Sequence, residues 1–453
     1  MPPIHDYALI GGIAAVGTFL LTFPLRWLAA RISFVAAPDD RRVHSQLIPY
    51  GGGLAMFLAF VAAMIVADHI ANLHGIYQGS SEPLGVVLGA AVILAVGLLD
   101  DAREISAPAK VAGQVLAAMV LVFLGATMFW LKVPLAGTVV LSSDLTPLLT
   151  ALWVIGITNA INLIDGLDGL AAGIVAIASG ALAVYGLRLV QQGLLQPTNL
   201  GPLIAVITCG VCIGFLPHNF SRARVFMGDA GALFLGLLMA AATMEIGGRT
   251  EGVTGQTYFF YAPLFLPLFI LGVPIADMAF AYIRRALKGT PIDTPDNDHV
   301  HHRLVRLGHG PRRTVLILWT WTAALSGFVL FPLFAPASNA IIPFAAIVLG
   351  LLLYTLFHPG LRPGRRKRRT TAANAAAEAA AVATAEAGLA AEIRLAAESA
   401  NGANPADAAE LANGTTAGNR AELGNGAASG NGATADRLVQ PDKAGPRPET
   451  ALS

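Results

Sequence analysis

The sequence predicts an all-α protein threaded many times through a membrane, and three observations carry that prediction. Of 453 residues, 55% are hydrophobic and only 13% charged, whereas a water-soluble domain has roughly a quarter of its residues charged. Apolar runs long enough, or nearly so, to cross about 30 Å of hydrocarbon recur between residues 7 and 358, and about eleven can be counted. The third observation is the punctuation. Every second connection between runs holds a dense group of Asp, Asn, His or Gly, and the connections between them hold almost none. Because consecutive spans alternate in direction, those groups share one membrane face, as expected of an integral membrane enzyme whose site opens to one compartment.

In order, the runs cover residues 7–30, 53–70, 84–99, 111–131, 148–164, 170–190, 203–216, 230–246, 259–283, 315–334 and 341–356. The first has no basic leader and no small-residue cleavage pattern after it, so it reads as a retained span and not as a signal peptide. The net charge of +1 says little, and nothing in the chain calls for a nucleic-acid partner. The placement of the charges says more. Arg31, Arg41, Arg42, Arg103, Lys110, Arg222, Arg224, Arg284, Arg285, Lys288, Arg303, Arg306, Arg312 and Arg313 fall on the face of the polar groups, against Lys132 and Arg249 on the other. The positive-inside rule makes the basic face cytoplasmic, with the N-terminus outside and the C-terminus inside a plasma membrane. The cysteines Cys209 and Cys212 lie inside the seventh run and read as small buried hydrophobes more readily than as a redox or metal pair.

These features divide the chain into a transmembrane catalytic domain at 1–358, a basic juxtamembrane segment at 359–369 and a tail at 370–453. The run Arg365, Arg366, Lys367, Arg368, Arg369 suits anionic lipid headgroups. The tail is built of Ala, Gly, Asn, Thr and Glu with hardly an aromatic residue, and it buries too little apolar surface to fold alone. Its Ala-rich part, 371–400, is expected to be helical only transiently.

The polar groups carry the chemistry. Asp100 and Asp101 close the third run. Carboxylates at a helix C-terminus oppose the helix dipole and are costly at a membrane boundary unless water, a partner or a cation meets them. Neighbouring helix residues point about 100° apart, so the two are expected to have different partners, one a metal and the other a base or a lysine. Asn159, Asn162, Asp165 and Asp168 follow at the end of the fifth run, with Asn159 and Asn162 on one helix face and glycines at 166 and 169 permitting a break. After the seventh run come Asn219, Arg222, Arg224, Gly228, Asp229 and Gly231. Asp229 reads either as a helix N-cap or as a ligand of a divalent ion, with Gly228 and Gly231 admitting a phosphate. The connection after the ninth run holds Lys288, Asp296, Asp298, His299, His301, His302 and Arg303, which suits phosphate oxygens first and zinc second. The first basic connection supplies Asp39, Arg41, Arg42 and His44 before Gly51, Gly52 and Gly53, a phosphate-cradling pattern that also serves helix packing.

Carboxylates that hold a divalent cation among Arg and His are what phosphoryl transfer requires. A site bordering lipid and open to the cytoplasm suits a phosphorylated lipid and a soluble nucleotide diphosphate. These residues resemble the polyprenyl-phosphate N-acetylhexosamine-1-phosphate transferase family, over roughly residues 7 to 358. The resemblance implies that N-acetylglucosamine 1-phosphate passes from UDP-N-acetylglucosamine to an undecaprenyl or decaprenyl phosphate, releasing UMP as the first lipid-linked step of an envelope polysaccharide. It implies magnesium, with manganese as a substitute. It places the paired acidic motif on Asp100 and Asp101, the magnesium aspartate on Asp229, and the metal ligands on Asp100, Asp101 and Asp229, which also form the catalytic set. Substrate contacts are implied for Arg42, His44, Lys110, Asn159, Asn162, Asp165, Asp168, Asn219, His299, His301, His302 and Arg303. Asp100 is implied as a general base; because a phosphate monoester is already largely dianionic at pH 7, organising magnesium or a lysine such as Lys110 is the alternative role. The spacing of His299, His301 and His302 is similar to the WecA and TagO branch; the phospho-N-acetylmuramoyl-pentapeptide transferases rank second. Arg42 stands where the family has a lysine, Ala36 and Asp39 stand at its first Asp and its Asn, Ala232 replaces a serine and Arg222 a proline. An intramembrane prenyltransferase remains open through the spacing of Asn162, Asp165 and Asp168. A transporter would place such residues at the midplane. A homodimer is an open alternative to a single chain.

Overall fold

A computed structural model describes residues 2–36, 47–133, 137–247 and 310–334, with isolated positions between 344 and 351. Residues Met1–Leu361 form one compact unit; a second, Arg362–Ser453, lies outside the described residues. The first unit runs α1 (Ile4–Arg31), the antiparallel pair β1 (Val35–Ala36) and β2 (Ile48–Pro49), α2 (Gly52–His69), a 3-10 turn at His74–Ile76, α3 (Glu82–Arg103) and α4 (Ala107–Phe123). The hairpin β3 (Trp130–Val133) and β4 (Gly137–Val140) follows, then α5 (Leu145–Ile164), α6 (Leu170–Gln191), α7 (Gly201–Asn219), α8 (Gly228–Gly247) and α9 (Pro311–Phe334).

Among the described residues, eight helices are long and apolar enough to cross a membrane, and α4 is a shorter apolar helix. The fold is helical, as the composition predicts. The ninth run lies outside the described residues and the eleventh mostly so. The fourth run does not remain helical to its end. Helix α4 stops at Phe123, Gly125 turns the chain with a left-handed φ of 90°, and the β-branched and aromatic stretch beyond pairs as a hairpin with Trp130 opposite Val140. Hydropathy registers the apolar character of that stretch but not its change of period.

Helix α8 is the hub. Every residue of its apolar window is buried, and α2, α3, α5, α6 and α7 pack around it. Lipid tails give no hydrophobic drive for helix association, so close approach of backbones matters more than in water. Small residues permit it: Gly53 of α2 lies against the Gly231 backbone, Gly97 of α3 against Asp229 and Ala230, and Gly210 and Gly214 of α7 against Gly11 and Ala15 of α1. Helix α1 is the outer member, with Leu9, Val16, Leu20 and Trp27 exposed on its outward face, which suits hydrocarbon.

Helix direction alternates from α1 to α8, and polar contacts mark the two ends. At one end Asn72 donates to Asp6 (2.8 Å), Ser81 to the Leu124 carbonyl (2.8 Å) and Asn199 to the Glu245 carbonyl (2.8 Å). At the other, the amides of Gly52 and Gly53 donate to the carbonyls of Phe226 and Met227 (3.1 and 3.2 Å), and the Phe226 amide donates to Pro49 (3.0 Å). These bonds bind the start of α2 to the start of α8. Gly51, Gly52 and Gly53 therefore act as packing residues: Gly52 meets the Phe215 ring and the Phe226 carbonyl.

Candidate active site

The described polar clusters collect at this second end. Asp100 and Asp101 sit in the last turn of α3, where the dipole is unfavourable to both, and each finds a different positive partner. Asp101 reaches across to α8, whose exposed first amides carry the positive end of a dipole: Oδ1 accepts from the Asp229 amide (2.8 Å) and Oδ2 from the Ala230 amide (3.1 Å). Two glycines make this approach possible. Gly97, one turn earlier on α3, lets the Ala230 backbone come close, and a Cβ on Gly228, which holds a φ of 67°, would collide with the Asp101 carboxylate. The α8 start is thus capped from another helix, and Asp229 is free of that task. Gly228 and Gly231 serve protein contacts: Gly231 faces Met227, Met56 and Gly53.

Asp100 turns the other way. Its Oδ1 accepts from the Ile105 amide (3.0 Å) and its Oδ2 from Lys110 Nζ (2.6 Å). The connection of Glu104, Ile105 and Ser106 reverses the chain, with Glu104 in the left-handed region at a φ of 47°, so the first turns of α4 lie beside the last turn of α3. Lys110 also pairs with the Asp229 carboxylate and so bridges α3 to α8. Asn162, from the last turn of α5, completes the group: its amide nitrogen donates to Asp229 Oδ1 (3.2 Å) and its oxygen accepts from Lys110 Nζ (3.1 Å). One turn back, Asn159 donates to Gln114 of α4 (2.9 Å) and to the Ile155 carbonyl (2.8 Å).

Asp168 and Asn219 hold the adjoining loops together. The break between α5 and α6 passes through Gly169 with a φ of 74°, and its amide donates to Asn219 Oδ1 (2.7 Å). Asn219 in turn donates to the Val225 carbonyl (3.0 Å), while Asp168 accepts from the amides of Arg222 and Ala223 (3.1 and 2.9 Å). Ser221 and Arg222 both hold positive φ, 55° and 97°, so Asp168 pins a turn that costs backbone energy. These side chains clasp the two loops beside the carboxylates. Asp165 sits at the C-terminal boundary of α5, where its amide donates to the Asn162 carbonyl (3.2 Å). Arg42, His44, His299, His301, His302 and Arg303 lie outside the described residues.

Two carboxylates, Asp100 and Asp229, share one ammonium here, an excess of negative charge suited to a further cation. Among the described residues, no three His, Cys, Asp or Glu side chains surround a common point as a metal cage. Both oxygens of Asp101 are engaged by amides, both of Asp100 by Lys110 and Ile105, and both of Asp229 by Lys110 and Asn162. Asp229 is the more open of the bridged carboxylates, its side chain 35% exposed against 13% for Asp100. A hard divalent ion is commonly held by one or two carboxylates, with water and substrate phosphates completing its shell. The Asp229 carboxylate beside the Asn162 amide fits such an ion. Gln114, fully buried on α4, was not singled out by the sequence; its one signal was a polar residue four after Lys110 on an otherwise apolar face.

Residues 83–247, which hold all of these described side chains, match the glycosyl transferase family 4 profile. The chain is 38% identical to a decaprenyl-phosphate N-acetylglucosaminephosphotransferase of Mycobacterium tuberculosis, over 76% of this chain and 87% of the relative. It is 30% identical to an undecaprenyl-phosphate alpha-N-acetylglucosaminyl 1-phosphate transferase of Thermotoga maritima, over 67% and 84%. A protein of the same name from Escherichia coli is 26% identical over 75% and 87%. Matching over most of such relatives, with the matched segment carrying the acidic cluster, the chain belongs to glycosyl transferase family 4.

Proposed function

We propose that the protein transfers N-acetylglucosamine 1-phosphate from UDP-N-acetylglucosamine to a membrane polyprenyl phosphate, giving a polyprenyl diphosphate sugar and UMP. The observation that carries this reading is the group Asp100, Lys110, Asn162 and Asp229, drawn from four helices to one end of the bundle. The relatives' names supply the substrate class.

The acceptor phosphate oxygen attacks the β-phosphorus of the donor, and the bond from that phosphorus to the UMP oxygen breaks. A phosphate monoester loses its second proton at a pKa of about 6 and is largely dianionic at neutral pH, so the attack needs no base. That frees Asp100 from proton transfer and agrees with its two hydrogen bonds, which hold Lys110 in place. The Lys110 ammonium supplies fixed positive charge where phosphoryl oxygens gather. Asn162 orients both Lys110 and Asp229. For magnesium, or manganese in its place, Asp229 is the proposed holder, with Asn162 beside it; when bound, such an ion neutralises charge on the transferred phosphate. A water-soluble donor that does not cross membranes requires the site to face the cytoplasm of a plasma membrane.

The test is direct. Purified protein with UDP-N-acetylglucosamine, polyprenyl phosphate and magnesium should release UMP, and omission of the lipid should stop it. No UMP with this donor, together with release from UDP-muramoyl-pentapeptide, would move the chain to the other branch.

A further inference from the structure

We infer that Gln114 is a positioning residue that fixes the amide of Asn159 with its carbonyl oxygen toward the ligand, so that this position accepts a hydrogen bond from the substrate side. The inference rests on the transferase reading. Asn159 Nδ2 donates to a main-chain carbonyl, that of Ile155, at 2.8 Å. A carbonyl only accepts, so the nitrogen must face it, and the orientation of the amide follows. The second hydrogen of the same nitrogen goes to Gln114 Oε1 at 2.9 Å. Both donor positions of Asn159 are thereby filled by protein, and the group left to face the site is an acceptor.

The orientation of Gln114 follows in the same way, because its Nε2 in place of Oε1 would set two donors against each other. Gln114 is fully buried, and its Nε2 has no hydrogen-bond partner among the described residues. A buried amide with unmet donors is costly; here Gln114, one turn from Lys110 on α4, fixes an acceptor at Asn159, one turn from Asn162 on α5. An acceptor repels phosphate oxygens. The chemistry it selects is a neutral donor: an N–H or O–H of the nucleotide sugar, or a metal-bound water. Asn159 thus differs from Lys110, which meets anionic oxygen.

The test is a double-mutant cycle on purified full-length protein, reading UMP release. Gln114→Met, close in shape and unable to accept, should raise the KM for UDP-N-acetylglucosamine or the magnesium activation constant about tenfold, the equivalent of one lost hydrogen bond, with kcat nearly unchanged. Asn159→Ala should do the same, and the double variant should be no worse than Asn159→Ala alone. Gln114→Glu keeps an oxygen at the same place and should recover most of the loss. A change confined to the nucleotide-sugar KM places the donor on that substrate; one confined to the magnesium constant places it on bound water. Fully additive losses, or Gln114→Glu as impaired as Gln114→Met, would overturn the inference. Melting temperatures in detergent separate loss of fold from loss of binding, and the Glu arm stands even where Gln114→Met does not purify. Absence of turnover in the wild type would instead retire the transferase reading.

Discussion

At the scale of single residues, the adjacent aspartates divide the labour, and their variants should fail differently. Asp101→Asn keeps one acceptor for the α8 amides and loses the negative charge at a helix N-terminus, so stability should fall by about 1 kcal/mol, read as a lower melting temperature in detergent. Asp100→Asn leaves that cap intact but loosens Lys110, which then pairs with Asp229 alone and competes there with a cation. The expected result is weaker manganese binding by paramagnetic resonance, roughly tenfold, with little change in melting. Lys110→Met strands Asp100 and Asp229 without their shared ammonium; full burial would make such a break worth about 3–5 kcal/mol, and their partial exposure lowers it to about 1–3 kcal/mol. Turnover should be lost as well. Glu104 is the opposite case: at a φ of 47° its side chain strains the turn after α3, and Glu104→Gly should raise stability by about 1 kcal/mol.

At the scale of elements, the loop after α5 and the loop after α7 behave as one piece because Asp168 and Asn219 cross between them. Asp168→Ala removes the acceptor of two amides in a turn already holding two left-handed residues. Faster amide exchange at Arg222 and Ala223 is expected, with a stability loss of about 1–3 kcal/mol. Here the sequence reached its limit. Polar residues at span ends suggested a candidate site, and Asp100, Asn162 and Asp229 meet around Lys110. The pattern carried no information on which protein groups each of them would meet, since Asp168 and Asn219 bond to groups 54 and 50 residues away. Gln114 escaped for a related reason, being a lone polar residue whose partner lies on another helix 45 residues on. The end of α4 was missed because an apolar run looks alike as helix and as hairpin until Gly125 breaks it.

At the scale of the molecule, composition and alternation made the helical membrane architecture legible, and the gathering of Asp100, Lys110, Asn162 and Asp229 at one end follows from chain direction. Orientation can be measured. Ser106→Cys, at the site end, should react with a membrane-impermeant thiol reagent from the cytoplasmic side only, and Ser80→Cys, at the far end, from the outside only. The reverse pattern would invert the topology expected from the basic residues. Finally, the bridge of Lys110 between Asp100 and Asp229 means that the protein carries an internal counter-ion of its own. Many small metalloproteins unravel under chelation because ligation and folding are one event. With the proposed ion held at Asp229, the two are expected to be uncoupled here: EDTA should silence the enzyme while its unfolding profile stays where it was.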